Sequence, residues 1–310
     1  MARLVTMFVF SAVACAAFAQ TTVPLQRFAF SQLLMGVRVE VTLYAPDQDT
    51  AEDAARAAFD RYAELEQVMS DYRPSSELMQ LCGKAGTGPV PVSHDLFIVL
   101  QAAQKVSEET DGAFDITASP VIRLWREARK SGKMPDADSL KEALALVGWH
   151  NVVLDPLHQT VSLLLPGMQL DLGGIAKGYA NDQALIAMQA KGVDRAMIEG
   201  GGDISVSGPP PGHLGWAIKV RGVPNIVYVR HAAVSTSGDT EQFVEIDGKR
   251  YSHVVDPHTG LGVTNRAQAT VIASRGIDTD PYATSLTVRP DLKNAIQKLL
   301  SATVLTTVVK

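Results

Sequence analysis

The stretch Asp171-Leu-Gly-Gly-Ile-Ala-Lys-Gly-Tyr179 places an acidic residue, two adjacent glycines and a lysine at a bend in the chain. Met168, Leu170 and Leu172 predict a strand before the bend, and an amphipathic run predicts a helix after it. A strand–Gly-Gly–helix junction directs helix N–H groups and the positive end of the helix dipole towards the bend. The junction therefore predicts a site for a phosphate-bearing ligand, although such a turn also serves as a plain structural connection.

A candidate cation site lies at Asp280 and Thr284, four residues apart in a predicted helix over 279–287. Both side chains would project from one helix face and could share a hard cation. Mg²⁺ takes few protein oxygens, so a carboxylate, a hydroxyl and a backbone carbonyl from the Gly173–Gly174 bend make a suitable ligand set. The alternative is an ordinary helix start, with Asp280 as an N-terminal charge and Pro281 in the first turn.

His253, within Ser252-His-Val-Val-Asp-Pro257, is either an acid–base residue or a packing residue at the end of a strand. A triad of Ser235 or Ser237 with His253 and Asp256 lacks the nucleophile elbow that would support it.

The loop Asp111-Gly-Ala-Phe-Asp115 is either a plain polar loop or a place where backbone groups can approach a flat ring beside Phe114. Familiar nucleotide and hydrolase motifs are absent from the sequence. Gly200-Gly-Gly-Asp-Ile-Ser205 lacks the third glycine of G-x-G-x-x-G, and no G-x-x-x-x-G-K-[ST], H-E-x-x-H, G-x-S-x-G or paired Cys-x-x-Cys occurs. Phosphate chemistry must therefore come from another kind of site.

The chain has 310 residues, of which 46% are hydrophobic and 20% charged, with a formal net charge of −5. This composition is typical of a globular protein of one large or two modest domains, and the absence of any long Lys/Arg run excludes a nucleic-acid footprint.

The N-terminus predicts export. Arg3, an apolar stretch from Leu4 to Ala17, and Ala17-Phe18-Ala19 form a signal peptide over residues 1–19 that would be cleaved after Ala19. The expected location is the periplasm. Cys15 follows a weak lipobox and leaves an inner-membrane lipid anchor as the alternative. After cleavage only Cys82 remains, so no intrachain disulfide is expected.

Alternating and helical patterns predict the elements that position these residues. Val37–Leu43 alternates as a strand. A capping signal at Thr50 and Asp53 predicts a helix whose buried face carries Phe59, Tyr62, Leu65 and Val68 or Met69. Further helices are expected near 95–109, 120–130 and 175–190, and strands near 151–155, 161–172, 195–199 and 268–274. Short strands are expected over 215–246, and Asp247-Gly248 predicts a hairpin joining 243–246 to 250–255. The elements show no regular βαβ rhythm, which favours an α+β fold.

Taken in order, these segments resemble the FAD:protein FMN transferase (ApbE) family over about residues 33–300. The resemblance rests on spaced blocks: Met35-Gly36, Met69-Ser-Asp-Tyr72-Arg-Pro-Ser-Ser-Glu77, Asp111–Asp115, Asp171–Tyr179, Gly201-Gly-Asp-Ile204, Thr236-Ser-Gly-Asp239, His253-Val-Val-Asp-Pro-His-Thr-Gly260 and Asp280–Thr284. One departure lies in the last block, where Pro281-Tyr282 replaces the family's usual Ala-Leu. Another is the brief segment after Arg289-Pro290.

The resemblance implies an exported enzyme with mixed and antiparallel sheets, packed helices and a T-fold-like architecture, in a single domain over 20–310. Such enzymes use FAD and Mg²⁺, transfer FMN to a threonine hydroxyl of a redox membrane or periplasmic acceptor protein, and release AMP. Two alternatives remain: an FAD pyrophosphatase that yields FMN and AMP, and a periplasmic flavin-binding protein without turnover.

Residue roles also follow from the resemblance. It implies that His253 lies closest to the reacting atoms and that the metal ligands are the Gly174 carbonyl, Asp280 and Thr284. The residues implied to contact FAD are Met35, Tyr72, Ala113, Phe114, Asp115, Asp171, Lys177 and Val254.

Overall fold

The computed structural model describes residues 24–238 and 242–308, apart from the side chains of 306–308. The predicted signal peptide, Cys15 and Asp239 lie outside the described residues. The strands in chain order are β1 (Gln26–Leu34), β2 (Val37–Ala45), β3 (Val90–Pro91), β4 (Val152–Asp155), β5 (Thr160–Leu163), β6 (Ala196–Gly200), β7 (Asp203–Val206), β8 (Trp216–Ile218), β9 (Val227–Val229), β10 (Ala232–Gly238), β11 (Phe243–Ile246), β12 (Lys249–Ser252), β13 (Ala267–Ala273) and β14 (Thr303–Val308). The α-helices are α1 (Gln48–Met69), α2 (Glu77–Cys82), α3 (His94–Glu109), α4 (Ser119–Ser131), α5 (Ala137–Leu144), α6 (Ala176–Ala190), α7 (Gly276–Val288) and α8 (Lys293–Leu299).

Seven antiparallel strands form the main sheet, in the order β1-β2-β6-β7-β10-β13-β14. Alternation along β2 turns Val39, Val41 and Leu43 into the core. Helix α6 packs against α1, α7, β6 and β7, and α7 packs against β10 and β13. The prediction of an α+β fold with antiparallel sheets is confirmed.

Two hairpins of the fold have tight two-residue turns. Met35 and Gly36 join β1 to β2 with φ of 50° and 72°, and Asp247 and Gly248 join β11 to β12 with φ of 51° and 74°. Two consecutive residues with positive φ match the right-handed twist of a two-residue hairpin. The predicted Asp247-Gly248 hairpin is therefore confirmed, although its second strand ends at Ser252 rather than Val255.

Two further predicted boundaries are wrong, at the start of α1 and at the end of β5. Helix α1 is capped by Asp47, whose carboxylate accepts the Thr50 N–H at 2.8 Å, rather than by Thr50 with Asp53. The strand predicted over 161–172 ends at Leu163. Beyond it the amide of Leu170 donates to Cys82 Sγ and that of Asp171 to the Ile116 carbonyl, so these N–H groups enter no sheet ladder.

The helix predicted over 279–287 begins earlier, at Gly276, and Pro281 lies inside it as the sixth helical residue. The reading of Asp280 as an ordinary helix-start charge is therefore wrong. The substituted Tyr282 is buried, and its hydroxyl donates to Glu109 at the end of α3. Among the described residues, no helix is both long and apolar enough to cross a membrane.

Candidate active site

A cavity of about 1040 Å³ opens where the β1–β2 turn, the 111–115 loop and the first turns of α6 meet α7 and the end of β12. This volume is at the upper end of the range for small-molecule sites. All twelve residues to which the family resemblance gives a role line this cavity: Met35, Tyr72, Ala113, Phe114, Asp115, Asp171, Gly174, Lys177, His253, Val254, Asp280 and Thr284.

Lys177 lies between two buried carboxylates. Its Nζ is 3.2 Å from Asp203 Oδ2 and 3.6 Å from Asp280 Oδ2, and it donates to the Gly173 carbonyl at 2.7 Å. Burial alone would lower the pKa of Lys177, but Asp280 and Asp203 hold it above its usual value. Burial, reinforced by the charge of Asp203, raises the pKa of Asp280 to about 7. When Asp280 is ionised, one ammonium offsets only one of the two carboxylates, and the remaining negative charge favours a bound cation.

The oxygen donors beside this charge fit Mg²⁺. Asp280 and Thr284 are one helical turn apart on α7, as predicted. Gly174 lies against Thr284, because a Cβ at Gly174 would be 3.3 Å from Thr284 Oγ1 and 3.1 Å from Phe114 Cε2. Within residues 24–238 and 242–308, no group of three or more His, Cys, Asp or Glu side chains forms a metal cluster. A cation here would therefore take a few hard oxygens from the protein and fill its remaining positions with water or phosphate oxygens.

Three amides at the start of α6 have protein partners, so these three would not contact a phosphate at the bend. Ile175 and Ala176 both donate to the Leu172 carbonyl, at 3.0 and 2.8 Å, and the Gly178 N–H donates to Asp280 Oδ2 at 3.4 Å. The helix dipole and the Lys177 ammonium both place positive charge at this bend, where an anion could bind.

At another part of the cavity, Arg126 on α4 contacts Asp71, Asp171 and Tyr72. Its guanidinium donates to Asp71 Oδ2 and to Asp171 Oδ2, both at 2.6 Å, and lies 4.6 Å from the centre of the Tyr72 ring. Asp171 Oδ1 also accepts the Gly173 N–H at 2.8 Å. The Tyr72 side chain is 73% exposed, which leaves its ring available to a flat ligand.

Asp115 holds the 111–115 loop in place. Its Oδ1 accepts from the Thr117 N–H at 2.8 Å and the Thr117 hydroxyl at 2.6 Å, and its Oδ2 accepts the Trp149 N–H at 3.0 Å. Burial raises the pKa of Asp115 against the effect of these hydrogen bonds. Since both carboxylate oxygens already bind protein groups, Asp115 shapes the loop that carries Ala113 and Phe114.

His253 follows β12, and its ring has a defined tautomer. Its Nδ1 is 3.1 Å from the Gln242 carbonyl oxygen, which also accepts the His253 backbone N–H at 3.0 Å. A carbonyl can only accept, so Nδ1 carries the proton and the lone pair of the neutral ring lies on Nε2. Asp256 instead accepts from His258 and Thr259, and Ser235 Oγ lies 2.8 Å from Thr279 Oγ1. The serine triad considered from the sequence is therefore wrong.

Three charged residues that bind the predicted site residues or one another were not predicted as site residues from the sequence: Asp71, Arg126 and Asp203. Asp203 belongs to the quoted Gly201-Gly-Asp-Ile204 block, and its position directly after two glycines was the available signal. No sequence signal pointed to Arg126, because a basic residue on an amphipathic helix is normally solvated.

The fold and the cavity define an α+β protein with a cleft suited to a large anionic ligand and a divalent cation. The chain belongs to the ApbE family, whose family model matches residues 35–305. It is 32% identical over 267 residues to a Klebsiella pneumoniae protein named FAD:protein FMN transferase, covering 84% of this chain and 81% of the relative. A Treponema pallidum protein of the same name is 32% identical over 282 residues, covering 84% and 78%.

Solved structures agree with this membership. The flavin transferase ApbE from Vibrio cholerae superposes with a TM-score of 0.83 at 28% identity, covering 93% of this chain and 95% of that one. The ApbE protein from Thermotoga maritima superposes with a TM-score of 0.82 at 28% identity, covering 91% and 94%.

Proposed function

We propose that this protein is an FAD:protein FMN transferase that moves the FMN part of FAD onto a threonine hydroxyl of an acceptor protein and releases AMP. Family membership and the names of the relatives support the class of reaction. The observation that carries the assignment to this chain is the convergence of twelve residues, spread from Met35 to Thr284, around one cavity.

In the proposed reaction, the threonine Oγ forms a bond to the FMN phosphorus while the bond from that phosphorus to the oxygen bridging to AMP breaks. The threonine proton passes to Nε2 of His253, the ring nitrogen that keeps its lone pair. Lys177 would offset charge on the pyrophosphate, with Asp203 holding its ammonium in place. Mg²⁺ would be held by Asp280, Thr284 and the Gly174 carbonyl, and when bound it would neutralise further pyrophosphate charge.

We assign FAD binding to the cavity wall. Tyr72 and Phe114 offer ring surfaces, and Asp171 is oriented by Arg126 and the Gly173 amide. The full set of proposed FAD contacts is Met35, Tyr72, Ala113, Phe114, Asp115, Asp171, Lys177 and Val254. The proposed acceptor is a redox protein of the membrane or periplasm.

The test is to incubate the protein with FAD, Mg²⁺ and candidate exported acceptors, then to measure the mass of the denatured acceptor. We expect a covalent gain of one FMN that maps to a threonine, with one AMP released for each FMN attached. Asp280→Asn, which keeps the shape of the side chain but removes its charge, is the matched inactive control. AMP release at an equal rate without acceptor would identify an FAD pyrophosphatase instead. FAD binding with no AMP under either condition would identify a flavin-binding protein.

A further inference from the structure

Helices α6 and α7 cross with their backbones in direct contact. A Cβ at Gly178 would lie 2.1 Å from the Gly276 carbonyl oxygen, and a Cβ at Gly276 would lie 2.3 Å from the Gly178 carbonyl oxygen. Neither position can hold a larger residue without separating the helices. Lys177 precedes one glycine, and Asp280 lies one helical turn after the other. The crossing therefore brings the proposed pyrophosphate-binding and cation-binding residues together.

Asp182 on α6 caps the N-terminus of α7. Its Oδ1 accepts the Gly276 N–H at 2.8 Å and the Ser205 hydroxyl at 3.1 Å, and its Oδ2 accepts the Ile277 N–H at 3.0 Å. The residue that precedes α7, Arg275, makes no side-chain capping bond. Asp182 is four residues after Gly178 and so lies on the same face of α6. A carboxylate from a different helix thus satisfies the first two amides of α7.

This cap sets where α7 begins, and the start of α7 sets where its ligands lie. Gly276, Asp280 and Thr284 are spaced by four residues on one face of α7. A shift of the helix by one residue would move that face by about 100° around the axis and about 1.5 Å along it. Asp280 is only the fifth helical residue, so fraying of an uncapped first turn would reach it directly.

Resting on the function proposed above, we propose that Asp182 is a positioning residue that places Asp280 and Thr284 for the divalent cation. It does so through the two amides that it caps and not by contact with the cation. Loss of partners that orient metal ligands typically weakens metal affinity about 10–100-fold.

The test compares Asp182→Ala, Asp182→Asn and the matched control Asp278→Asn. Asp278 is also an acidic residue in the first turn of α7, but its carboxylate pairs with Arg275 and caps no amide of α7. The control therefore removes one nearby negative charge and leaves the cap intact. Three quantities are measured: Mn²⁺ affinity by electron paramagnetic resonance without FAD, the Mg²⁺ concentration for half-maximal AMP release, and the midpoint of thermal unfolding.

We expect Asp182→Ala to weaken Mn²⁺ binding at least about 10-fold and to raise the required Mg²⁺ in parallel, with activity recovering at saturating Mg²⁺. Asp182→Asn keeps one acceptor oxygen and should fall between Asp182→Ala and the wild type. Asp278→Asn should match the wild type. A lowered unfolding midpoint with unchanged Mn²⁺ affinity would reduce Asp182 to a purely structural cap and overturn the proposal. Equal weakening in Asp278→Asn would also overturn it, because general charge would then be the cause.

The wild type separates this inference from the function on which it rests. Mg²⁺-dependent transfer by the wild type, together with an unaltered metal response in Asp182→Ala, would contradict only the positioning role. A wild type that binds no Mn²⁺ and needs no Mg²⁺ would overturn both the cation site and the role of Asp182.

Discussion

At His253, the hydrogen bond from Nδ1 to the Gln242 carbonyl leaves Nε2 as the nitrogen that can accept a proton. We predict that His253→Ala lowers FMN transfer by about 10²–10⁴-fold, the usual range for a lost general acid–base group. FAD affinity should stay within a few-fold, because the proposed ring contacts lie on other segments. Transfer rates and FAD binding measured side by side check this. His158→Ala, an exposed histidine paired with Asp155, is the control and should behave as wild type. Unchanged transfer in His253→Ala would make this residue a packing histidine.

Asp280 and Thr284 should differ in how strongly they support the cation. Asp280→Ala removes the only carboxylate among the proposed ligands, and two neutral oxygens cannot hold a strongly hydrated dication against water. We therefore predict loss of both activity and Mg²⁺ response, with weak FAD binding retained. Thr284→Ala should be milder, since water can replace a neutral ligand. Titrations of Mg²⁺ against both variants, followed by AMP release, give the order. Equal loss in the two variants would show that the ligands are ranked wrongly.

Single residues were predictable where their spacing was local. Asp280 and Thr284 could be paired from the sequence because one helical turn separates them, and Lys177 could be placed at the bend because it follows the Gly173–Gly174 pair by three residues. Asp182 and Arg126 could not be found in this way. Asp182 acts on amides 94 and 95 residues further along the chain, and Arg126 bonds to residues 55 and 45 positions away. Nothing in local composition reports such contacts.

At the scale of elements, the α6–α7 crossing depends on two glycines. Gly178→Ala would place a methyl group 2.1 Å from the Gly276 carbonyl oxygen, so the helices must separate. We predict a loss of about 1–3 kcal/mol in the free energy of unfolding, as for other overpacked sites, measured by chemical denaturation.

The control for Gly178→Ala is Gly83→Ala. Gly83 is in the right-handed helical region with φ of −63°, and its nearest atoms would be 3.5 Å from the new Cβ, which is ordinary contact. Its stability should equal or slightly exceed that of the wild type, because alanine restricts the unfolded chain more than glycine does. Equal stability of both variants would mean that the crossing can relax at little cost.

Helices with a clear apolar face were predicted well. The helix expected over 95–109 is α3, and the one expected over 175–190 is α6. The segment from 164 to 172 was predicted wrongly because its buried residues Met168, Leu170 and Leu172 alternate as in a strand. Its amides at 170 and 171 bind Cys82 and the Ile116 carbonyl instead of a neighbouring strand. The start of α7 was missed because its cap comes from another helix. Tertiary partners decided both cases.

For the whole molecule, we propose export to the periplasm, directed by residues 1–19. The chain isolated from the cell envelope should begin at Gln20, because Ala17-Phe18-Ala19 fits the cleavage site of a signal peptide. N-terminal sequencing of that material checks the prediction. A Cys15→Ser variant is the control for lipidation and should fractionate like the wild type. A retained Met1, or a lipid on Cys15, would contradict the soluble periplasmic form.

The α+β class followed from the irregular mixture of predicted strands and helices, and the hairpin at Asp247-Gly248 followed from its turn residues. The sheet itself could not be assembled from the sequence. The edge strands β1 and β14 were not predicted. The local sequences of β2 and β6 give no indication that these two strands pair. Strand order is decided by long-range packing, which a local pattern does not encode.

The strand order also bears on how the chain folds. Neighbours in the main sheet follow one another along the sequence, yet about 150 residues separate β2 from its neighbour β6. Local pairs such as β1 with β2 and β6 with β7 can form early, whereas the β2–β6 pair must wait for a long loop to close. The Met35 turn and the Gly201–Gly202 turn, which both line the cavity, lie on opposite sides of that pair. During refolding, a flavin that contacts both turns should therefore bind only after this slow step. Flavin binding would then follow formation of the native state and not the earlier formation of secondary structure.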